Sequence, residues 1–281
     1  MRKLTRRDFI VLTAGGAAAA AVAAACGGDD EDGGGSTPGA TAAGMTPASG
    51  ASPTVDAGTD NGAVGLRWFG QSMFLLTSPA GITVLLDPFN DIGYTVPPPL
   101  DTDAATITHE HPDHNNDALG GSTATVLRGL TSDGWADIDE TVGDVRVSSV
   151  QTYHDDTQGS QLGRNAAFVI ETVGLRIAHL GDLGHMLDDE QAAAIGAVDV
   201  LMVPVGGTFT LDAAGATAVT EQLAPKMVFP MHYQTAAAGA ALANADAFLA
   251  GKTVQRVGST DIRIARGELP AELTAFVLDY E

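Results

Sequence analysis

The sequence predicts an α/β fold in which two β-sheets pack face to face and helices lie outside them. Short apolar runs of strand length follow one another closely between residues 65 and 87, a pattern typical of β-hairpins. Beyond residue 100, runs of strand length alternate with runs of helical periodicity, which favours strands joined by helices. The chain has 281 residues, of which 44% are hydrophobic, enough for one sizeable core.

The elements follow in order from these runs. Apolar or alternating runs predict strands at Gly65–Phe69, Met73–Thr77, Ile82–Asp87, Ala104–Thr108, Thr123–Leu127, Val145–Tyr153, Ala166–Thr172, Leu175–Leu180, Val198–Val203 and Met227–Met231. Helical periodicity predicts helices at Asp113–Leu119, Asp188–Ile195, Asp212–Leu223 and Ala237–Leu249. Two later alternating runs, Asp261–Ala265 and Leu273–Leu278, are candidates for added strands.

Residues 1–26 resemble a bacterial export signal. Arg6 and Arg7 lie in a basic segment typical of twin-arginine signals, and an Ala-rich apolar stretch follows. This stretch is too short and too weakly hydrophobic for a membrane span. Cys26, the only cysteine of the chain, ends it at what resembles a lipoprotein processing site. We therefore expect twin-arginine export and lipid attachment at Cys26, with anchoring at the outer face of the cytoplasmic membrane or in the cell envelope.

Two further segments complete the predicted domain organisation. Residues 27–62 consist largely of Gly, Ala, Ser, Thr, Pro and Asp and predict a disordered tether. Residues 63–281 form the predicted folded domain. An alternative for Cys26 is a cysteine that merely stands near a signal-peptidase site, since the alanines before it fit a lipoprotein box less well than leucine would.

The charge of the chain bears on its partners. With 14 basic and 35 acidic residues, the formal net charge is −21. A domain of this charge repels polyanions at long range, which argues against nucleic acid as a partner. A small molecule remains the expected substrate.

The most informative stretch is His109-Glu110-His111-Pro112-Asp113-His114, which places three imidazoles and a carboxylate within one turn. If the preceding run is a strand, His109 and His111 leave it on the same face and can bind one ion together. Pro112 ends the strand, and Asp113 occupies a predicted helix N-cap position before the glycines at 120 and 121. The segment therefore offers ligands for two ions.

Further ligand-type residues follow three later predicted strands. His154, Asp182 and His232 each stand at the carboxyl end of an apolar run. In layered α/β proteins, loops at the carboxyl ends of strands assemble binding sites. We expect these side chains to lie beside the histidine-rich segment.

The order H-x-H-x-D-H, then His, Asp and His, resembles the metallo-β-lactamase-fold hydrolases, from about Val64 to about His232. The stretches Trp68-Phe69-Gly70-Gln71-Ser72, Leu85-Leu86-Asp87-Pro88-Phe89 and Ala178-His179-Leu180-Gly181-Asp182 are most similar to the branch with ascorbate-6-phosphate lactonase and N-acyl-phosphatidylethanolamine phospholipase D. The resemblance implies a four-layer αββα sandwich with the site at one edge, between the sheets.

The resemblance also implies a ligand set. His109, His111 and His154 would hold the first metal; Asp113, His114 and His232 the second, with Asp182 bridging the two. Asp113 and Asp182 would be the catalytic carboxylates. The chain departs from many relatives at Gln71, where they have histidine.

Four more polar residues are candidates for supporting roles. Asp87 either orients a ligand imidazole or ends a strand and caps a turn. His179, inside a predicted strand, is expected to support a ligand or to be packed. His185 either reaches substrate or is an exposed loop residue, and Gln71 is a candidate for contact with a ligand or substrate.

The chemistry of the set is hydrolytic. Imidazole and carboxylate ligands suit Zn²⁺ above all, and also Mn²⁺ or Fe²⁺. Two such ions can lower the pKa of a shared water toward about 7 and present hydroxide to a carbonyl or phosphoryl centre. We expect an exported hydrolase of an ester, lactone or phosphodiester, with Arg164 or Lys226 either contacting an anionic group or remaining a surface charge. The alternative is a noncatalytic metal-binding or sensing lipoprotein.

Overall fold

The computed structural model describes residues 62–238 and 242–280. The expected signal, the lipidation residue Cys26 and almost all of the expected tether lie outside the described residues. Within this part of the chain no helix has the length and apolar character needed to cross a membrane.

Strands make up most of the regular secondary structure among the described residues. The strands are β1 (Val64–Gly70), β2 (Met73–Thr77), β3 (Thr83–Leu86), β4 (Ala104–Ile107), β5 (Thr125–Arg128), β6 (Asp139–Val142), β7 (Val145–Tyr153), β8 (Arg164–Thr172), β9 (Leu175–His179), β10 (Val200–Pro204), β11 (Met227–Met231), β12 (Thr253–Arg256), β13 (Asp261–Ile264) and β14 (Thr274–Val277). The α-helices are α1 (Asp189–Ile195), α2 (Ala213–Leu223) and α3 (Asp246–Leu249). Short 3₁₀ helices span Asp117–Gly120 and Arg266–Glu268.

The strands form two mixed sheets. The first has the order β13-β1-β2-β3-β4-β5 and the second the order β12-β14-β11-β10-β9-β8-β7-β6. Strands β1 to β3 and β6 to β9 pair as antiparallel neighbours, whereas β3, β4 and β5 pair in parallel. Strands β9, β10 and β11 are also parallel, with α1 and α2 as their connections. The two late alternating runs correspond to β13 and β14, which each join a different sheet.

The inner faces of the two sheets share one core. Leu66, Phe74 and Leu86 from the first sheet pack in the same buried cluster as Phe168 and Phe229 from the second. The three helices pack with a separate buried cluster on the other face of the second sheet. The structure thus confirms an α/β sandwich of two facing sheets.

Two predicted helices are wrong in extent. The chain from Asp113 to Asn116 is not helical, and a 3₁₀ helix begins only at Asp117, because Asp113 and His114 turn their side chains into the interior instead of starting a helix. Of the predicted helix 237–249 only α3 forms among the described residues. The backbone of Ala243 is bonded to Gln234 and Gly206, which prevents helical bonding there.

Strand β1 runs toward Gln71, one of the candidate site residues. It begins at Val64 and ends at Gly70, immediately before the buried Gln71. The other end of the described chain lies near Gln71 as well: the ring of Tyr280 packs edge-on against Tyr94, whose hydroxyl group hydrogen-bonds to the Gln71 backbone.

Candidate metal centre

The ends of β4, β7, β9 and β11 bring the histidine-rich segment together with the later ligand-type residues. Two groups form, each with its ligand-type atoms within 4.8 Å of one another: His109, His111 and His154 in the first cluster, and Asp113, His114, Asp182 and His232 in the second cluster. All seven residues that were predicted from the sequence as metal ligands therefore lie together at one edge of the sandwich. Every one except His111 and Asp113 is buried.

Asp182 lies between the two clusters. Its Oδ2 atom is 3.1 Å from His154 Nε2 and 3.8 Å from His109 Nε2, on the side of the first cluster. The same oxygen is 3.3 Å from His232 Nε2, and Oδ1 is 3.2 Å from His114 Nε2, both in the second cluster. One carboxylate thus faces ligand-type nitrogens from both groups.

These separations suit metal coordination. Tetrahedral ligands at about 2.0–2.1 Å from an ion are about 3.3 Å apart. In the second cluster, Asp113 Oδ2 is 3.3 Å from His114 Nε2 and 3.6 Å from His232 Nε2. In the first, His109 Nε2 is 3.0 Å from His111 Nδ1.

Hydrogen bonds orient three of the imidazoles. His109 Nδ1 lies 3.0 Å from Thr108 Oγ1, and His114 Nδ1 lies 2.8 Å from Asp87 Oδ2. His154 Nδ1 lies 3.1 Å from the Phe209 carbonyl. Because the Thr108 hydroxyl donates to Asp87, its oxygen is free to accept. With each Nδ1–H donating to its acceptor, each Nε2 faces the cluster and would offer its lone pair to a bound cation.

Unpaired buried atoms support the same conclusion. His114 Nε2 and Asp182 Oδ1 are buried and lie 3.2 Å apart, but neither atom forms a hydrogen bond of good geometry with the other or with another protein group. A buried polar atom left unpaired costs about 1–3 kcal/mol. A divalent cation bound by both atoms would remove this cost, so the donor set fits a metal.

The charges of the clusters differ. Burial lowers the pKa of His109 and His111, which favours the neutral imidazole that a metal requires. Burial alone would also lower the pKa of His232, but the Asp182 charge and hydrogen bonds with Asp113 and Asp182 raise it to about 9. The charges of Asp182 and Asp113 likewise raise the pKa of His114 well above its usual range, against burial. The second cluster therefore attracts positive charge.

Asp87 supports two of the ligand-type imidazoles. This fully buried residue accepts hydrogen bonds from the backbone N–H of Thr108 at 2.8 Å and from its hydroxyl at 2.6 Å, and it contacts His114 Nδ1. Its backbone has a φ of +44°, unusual for a residue other than glycine. Asp87 thus connects to His114 directly and to His109 through Thr108.

Gln71 contacts the second cluster. Its Nε2 donates to Asp113 Oδ2 at 2.9 Å, and its carbonyl accepts from the backbone N–H of His232 at 3.1 Å. Gln71 and His232 have φ values of +48° and +51°. Left-handed backbone at non-glycine residues costs free energy and often marks functional sites.

The other two histidines are bonded to the backbone. His179 is fully buried, and its Nε2 lies 2.8 Å from the carbonyl of Ser72. The backbone N–H of Tyr153 donates to His185 Nε2 at 3.1 Å, and His185 Nδ1 lies 2.7 Å from the carbonyl of Met186. Because both ring nitrogens of His185 are engaged, it supports the residue before His154 and has no ring nitrogen left for substrate.

The two candidate cations lie in different places. Arg164 pairs with Tyr153 at the site end of β8, and its guanidinium lies 5.0 Å from the Trp135 ring. Lys226 precedes β11, whereas His232 follows that strand, and Lys226 Nζ donates to the Ala271 carbonyl. The position of Lys226 at the opposite end of β11 contradicts a contact with substrate at the clusters.

Gly184 and Gly206 lie against the backbone of two ligand-type residues, a role that the sequence does not predict. An added Cβ on Gly184 would collide with the carbonyl oxygen of His154, and one on Gly206 with that of His232. Each glycine thus permits close approach to the backbone of a ligand-type residue. No sequence signal distinguishes them from the other glycines, because the contacts join distant parts of the chain.

Comparison with known proteins decides the family. The model of the beta-lactamase superfamily domain matches residues 65–232, which is more than half of the chain and extends from the second residue of β1 to the last ligand-type residue. The chain belongs to the beta-lactamase superfamily.

Relatives within this superfamily carry descriptive names. A UPF0173 metal-dependent hydrolase from Thermoplasma acidophilum is 31% identical over 187 residues, covering 60% of this chain and 82% of the relative. A UPF0173 protein from Pyrococcus abyssi is 32% identical over 191 residues, covering 62% and 85%. The structure of a protein from Thermotoga maritima, described as a candidate Zn-dependent hydrolase of the metallo-beta-lactamase superfamily, is 32% identical at a TM-score of 0.60, covering 76% of this chain and 98% of that chain.

These comparisons confirm the family and fold expected from the resemblance. The narrower branch with ascorbate-6-phosphate lactonase and N-acyl-phosphatidylethanolamine phospholipase D stays a prediction. The relatives named above are similar to this beta-lactamase superfamily member over most of their own length.

Proposed function

We propose that this protein is a dinuclear metal-dependent hydrolase that acts on a small ester, lactone or phosphodiester. The observation that carries the proposal is the position of Asp182, whose two oxygens face ligand-type nitrogens of both clusters. The names of its relatives as metal-dependent hydrolases support the reaction class.

Each cluster would hold one divalent ion. His109, His111 and His154 would bind the first, Asp113, His114 and His232 the second, and Asp182 both. Zn²⁺ is the first candidate, with Mn²⁺ or Fe²⁺ as alternatives, because all donors are nitrogen and oxygen. When bound, two such ions make a shared water acidic and polarise the oxygen of the bond under attack.

The protein's own side chains would orient the substrate and move the proton. The Asp113 side chain is 26% exposed, whereas those of His114, Asp182 and His232 are 0–3% exposed, so substrate would approach from the Asp113 side. Gln71 holds Asp113 Oδ2, which leaves Asp113 Oδ1 to accept a proton. Asp182, braced from both clusters, would fix the separation of the ions.

A substrate screen tests this function. The full chain is loaded with Zn²⁺, Mn²⁺ or Fe²⁺ and assayed with panels of carboxyl esters, lactones and phosphodiesters. We expect turnover of at least one class that a chelator abolishes and added metal restores. Metal binding without turnover across the panels would instead favour a noncatalytic metal-binding or sensing protein.

We also propose that the protein is exported by the twin-arginine route and anchored by a lipid at Cys26. The paired arginines and the sole cysteine after an apolar stretch support this. Cys26→Ser should remove acyl modification and release the processed domain from membranes, as measured by fractionation and mass spectrometry. Arg6→Lys with Arg7→Lys should block export. A mature protein whose first residue is not Cys26 would contradict the anchor.

A further inference from the structure

A fully buried asparagine lies directly behind Asp182. Asn165, on β8, has 0% exposure, and its amide group reaches the turn that follows β9. Its Oδ1 accepts a hydrogen bond from the backbone N–H of Asp182 at 3.1 Å, and its Nδ2 donates to the carbonyl of Leu180 at 2.9 Å. One side chain thus binds the backbone on both sides of Gly181.

The amide has one favourable orientation. Its Nδ2 also donates to Thr152 Oγ1 at 2.7 Å, so the nitrogen faces two acceptors and the oxygen faces one donor. A flipped amide would direct its N–H groups at the N–H of Asp182 and its oxygen at the carbonyl of Leu180. Both contacts would be repulsive, so the bond to Asp182 is specified.

The turn itself fits against this amide. Gly181 has a φ of +54°, and a Cβ added there would lie 2.5 Å from Asn165 Oδ1. The backbone can therefore bend over the asparagine only with glycine at this position. The bend carries the chain from β9 to Asp182 and so determines where the Asp182 carboxylate points.

The backbone of Asn165 is bonded independently of its side chain. Its carbonyl accepts from Trp135 Nε1 at 2.7 Å and from Thr152 Oγ1 at 3.1 Å, and Asn165 pairs with Thr152 in the β7–β8 register. Loss of the Asn165 side chain therefore removes hydrogen bonds from the Leu180–Asp182 turn. The pairing of β8 with β7 is retained, because backbone hydrogen bonds hold it.

We propose that Asn165 is the positioning residue for Asp182: it clamps the backbone around Gly181 so that the Asp182 carboxylate faces both clusters at once. The proposal rests on the proposed function insofar as Asp182 binds metal. It extends that function to a residue that touches neither an ion nor a substrate. Outer residues that orient ligands typically change metal affinity 10–100-fold when replaced.

The test compares two variants in the full chain. Asn165→Leu keeps the approximate volume and removes all three side-chain hydrogen bonds, and Asn165→Ala is the second choice if leucine prevents folding. Ser149→Ala is the matched control, because it removes two side-chain hydrogen bonds from strand β7 of the same strand pair without touching Asn165 or Asp182. Cobalt is titrated into each protein, and its stoichiometry, affinity and visible spectrum are recorded.

We expect Asn165→Leu to weaken cobalt binding 10–100-fold with an altered spectrum, whereas Ser149→Ala stays within about threefold of the parent. A folded Asn165→Leu protein with parent-like affinity and spectrum would overturn the proposal. Equal losses in both variants would overturn it as well, since they would indicate a general effect of strand packing.

A metal-free measurement separates this proposal from the proposed function. Hydrogen exchange of the Asp182 amide is followed by NMR in the parent and in the folded Asn165 variant. We expect slow exchange in the parent and faster exchange in the variant. Fast exchange in the parent, or no change in the variant, would overturn the clamp. If the parent binds no cobalt, the proposed function fails, but this exchange result still decides whether Asn165 holds Asp182.

Discussion

Replacing Asp182 with asparagine is the most direct test of a shared carboxylate. The substitution keeps the shape of the side chain and removes its charge. Four imidazole nitrogens, from His109, His114, His154 and His232, lie 3.1–3.8 Å from the Asp182 oxygens. Because these nitrogens belong to both clusters, loss of the Asp182 charge should lower the affinity for both ions. The larger loss of affinity is expected for the ion that binds more weakly.

The expected magnitude follows from the charges and their separation. A unit negative charge and a divalent cation about 4 Å apart interact by about 8 kcal/mol at an effective dielectric constant of 20, twice the value for two unit charges. Since 1.4 kcal/mol corresponds to a tenfold change, the affinity for one ion should fall by more than about a thousandfold. Dialysed Asp182→Asn should then retain about one ion per chain, and turnover should fall with the second ion.

Elemental analysis after dialysis, chelator competition and turnover of any substrate found in the screen measure this loss. Asp199→Asn is the matched control, because Asp199 precedes β10 and accepts from the Arg176 backbone at the end of the sheet opposite the clusters. If Asp182→Asn keeps two ions at parent-like affinity and near-normal turnover, Asp182 does not bridge and the dinuclear assignment must be redrawn.

Three further outcomes are expected. Gly184→Ala should weaken metal binding at the first cluster and Gly206→Ala at the second, each by displacing a ligand backbone, and cobalt titration of the two variants distinguishes the clusters. Asp87→Ala should lower metal affinity 10–100-fold, since the Nδ1–H of His114 loses its acceptor, and a parent-like affinity would exclude that role. Asp155→Ala should lower the free energy of unfolding by about 2–4 kcal/mol in urea titrations, since this carboxylate accepts five hydrogen bonds from the following loop. Burial alone would raise the pKa of Asp155, but these hydrogen bonds lower it. The stabilisation from Asp155 is therefore present above its unfolded pKa of about 3.9 and is lost as the pH falls through its folded pKa. The free energy of unfolding of Asp155→Ala should accordingly depend less on pH in the acid range than that of the parent.

The strand pattern and the ligand-type residues could be predicted because both depend on local signals. Strands β2, β7 and β11 have the bounds expected from their apolar or alternating runs. By contrast, every residue of β12 is exposed, as are the first three of β6, and both strands lie at sheet edges. Their sequences lack the apolar alternation from which a strand is predicted.

The supporting residues could not be predicted, because their roles come from contacts across long stretches of chain. Asn165 meets Asp182 only after β8 and β9 have paired, and Gly206 meets His232 only after β10 and β11 align. The predicted helix at Asp113 failed for a related reason. Its capping carboxylate is engaged by Gln71, which is 42 residues away in the sequence.

The direction of β1 has a practical consequence for attaching the domain to a surface. The strand rises about 3.3 Å per residue, so Val64 lies about 20 Å from Gly70 and the neighbouring Gln71. A bead, a dye or a partner enzyme joined directly before Val64 would therefore be held about 20 Å from Gln71, which contacts the partly exposed Asp113. One joined after Tyr280 would emerge beside Tyr94, close to Gln71. Immobilisation through the amino-terminal side should leave diffusion of substrate unobstructed.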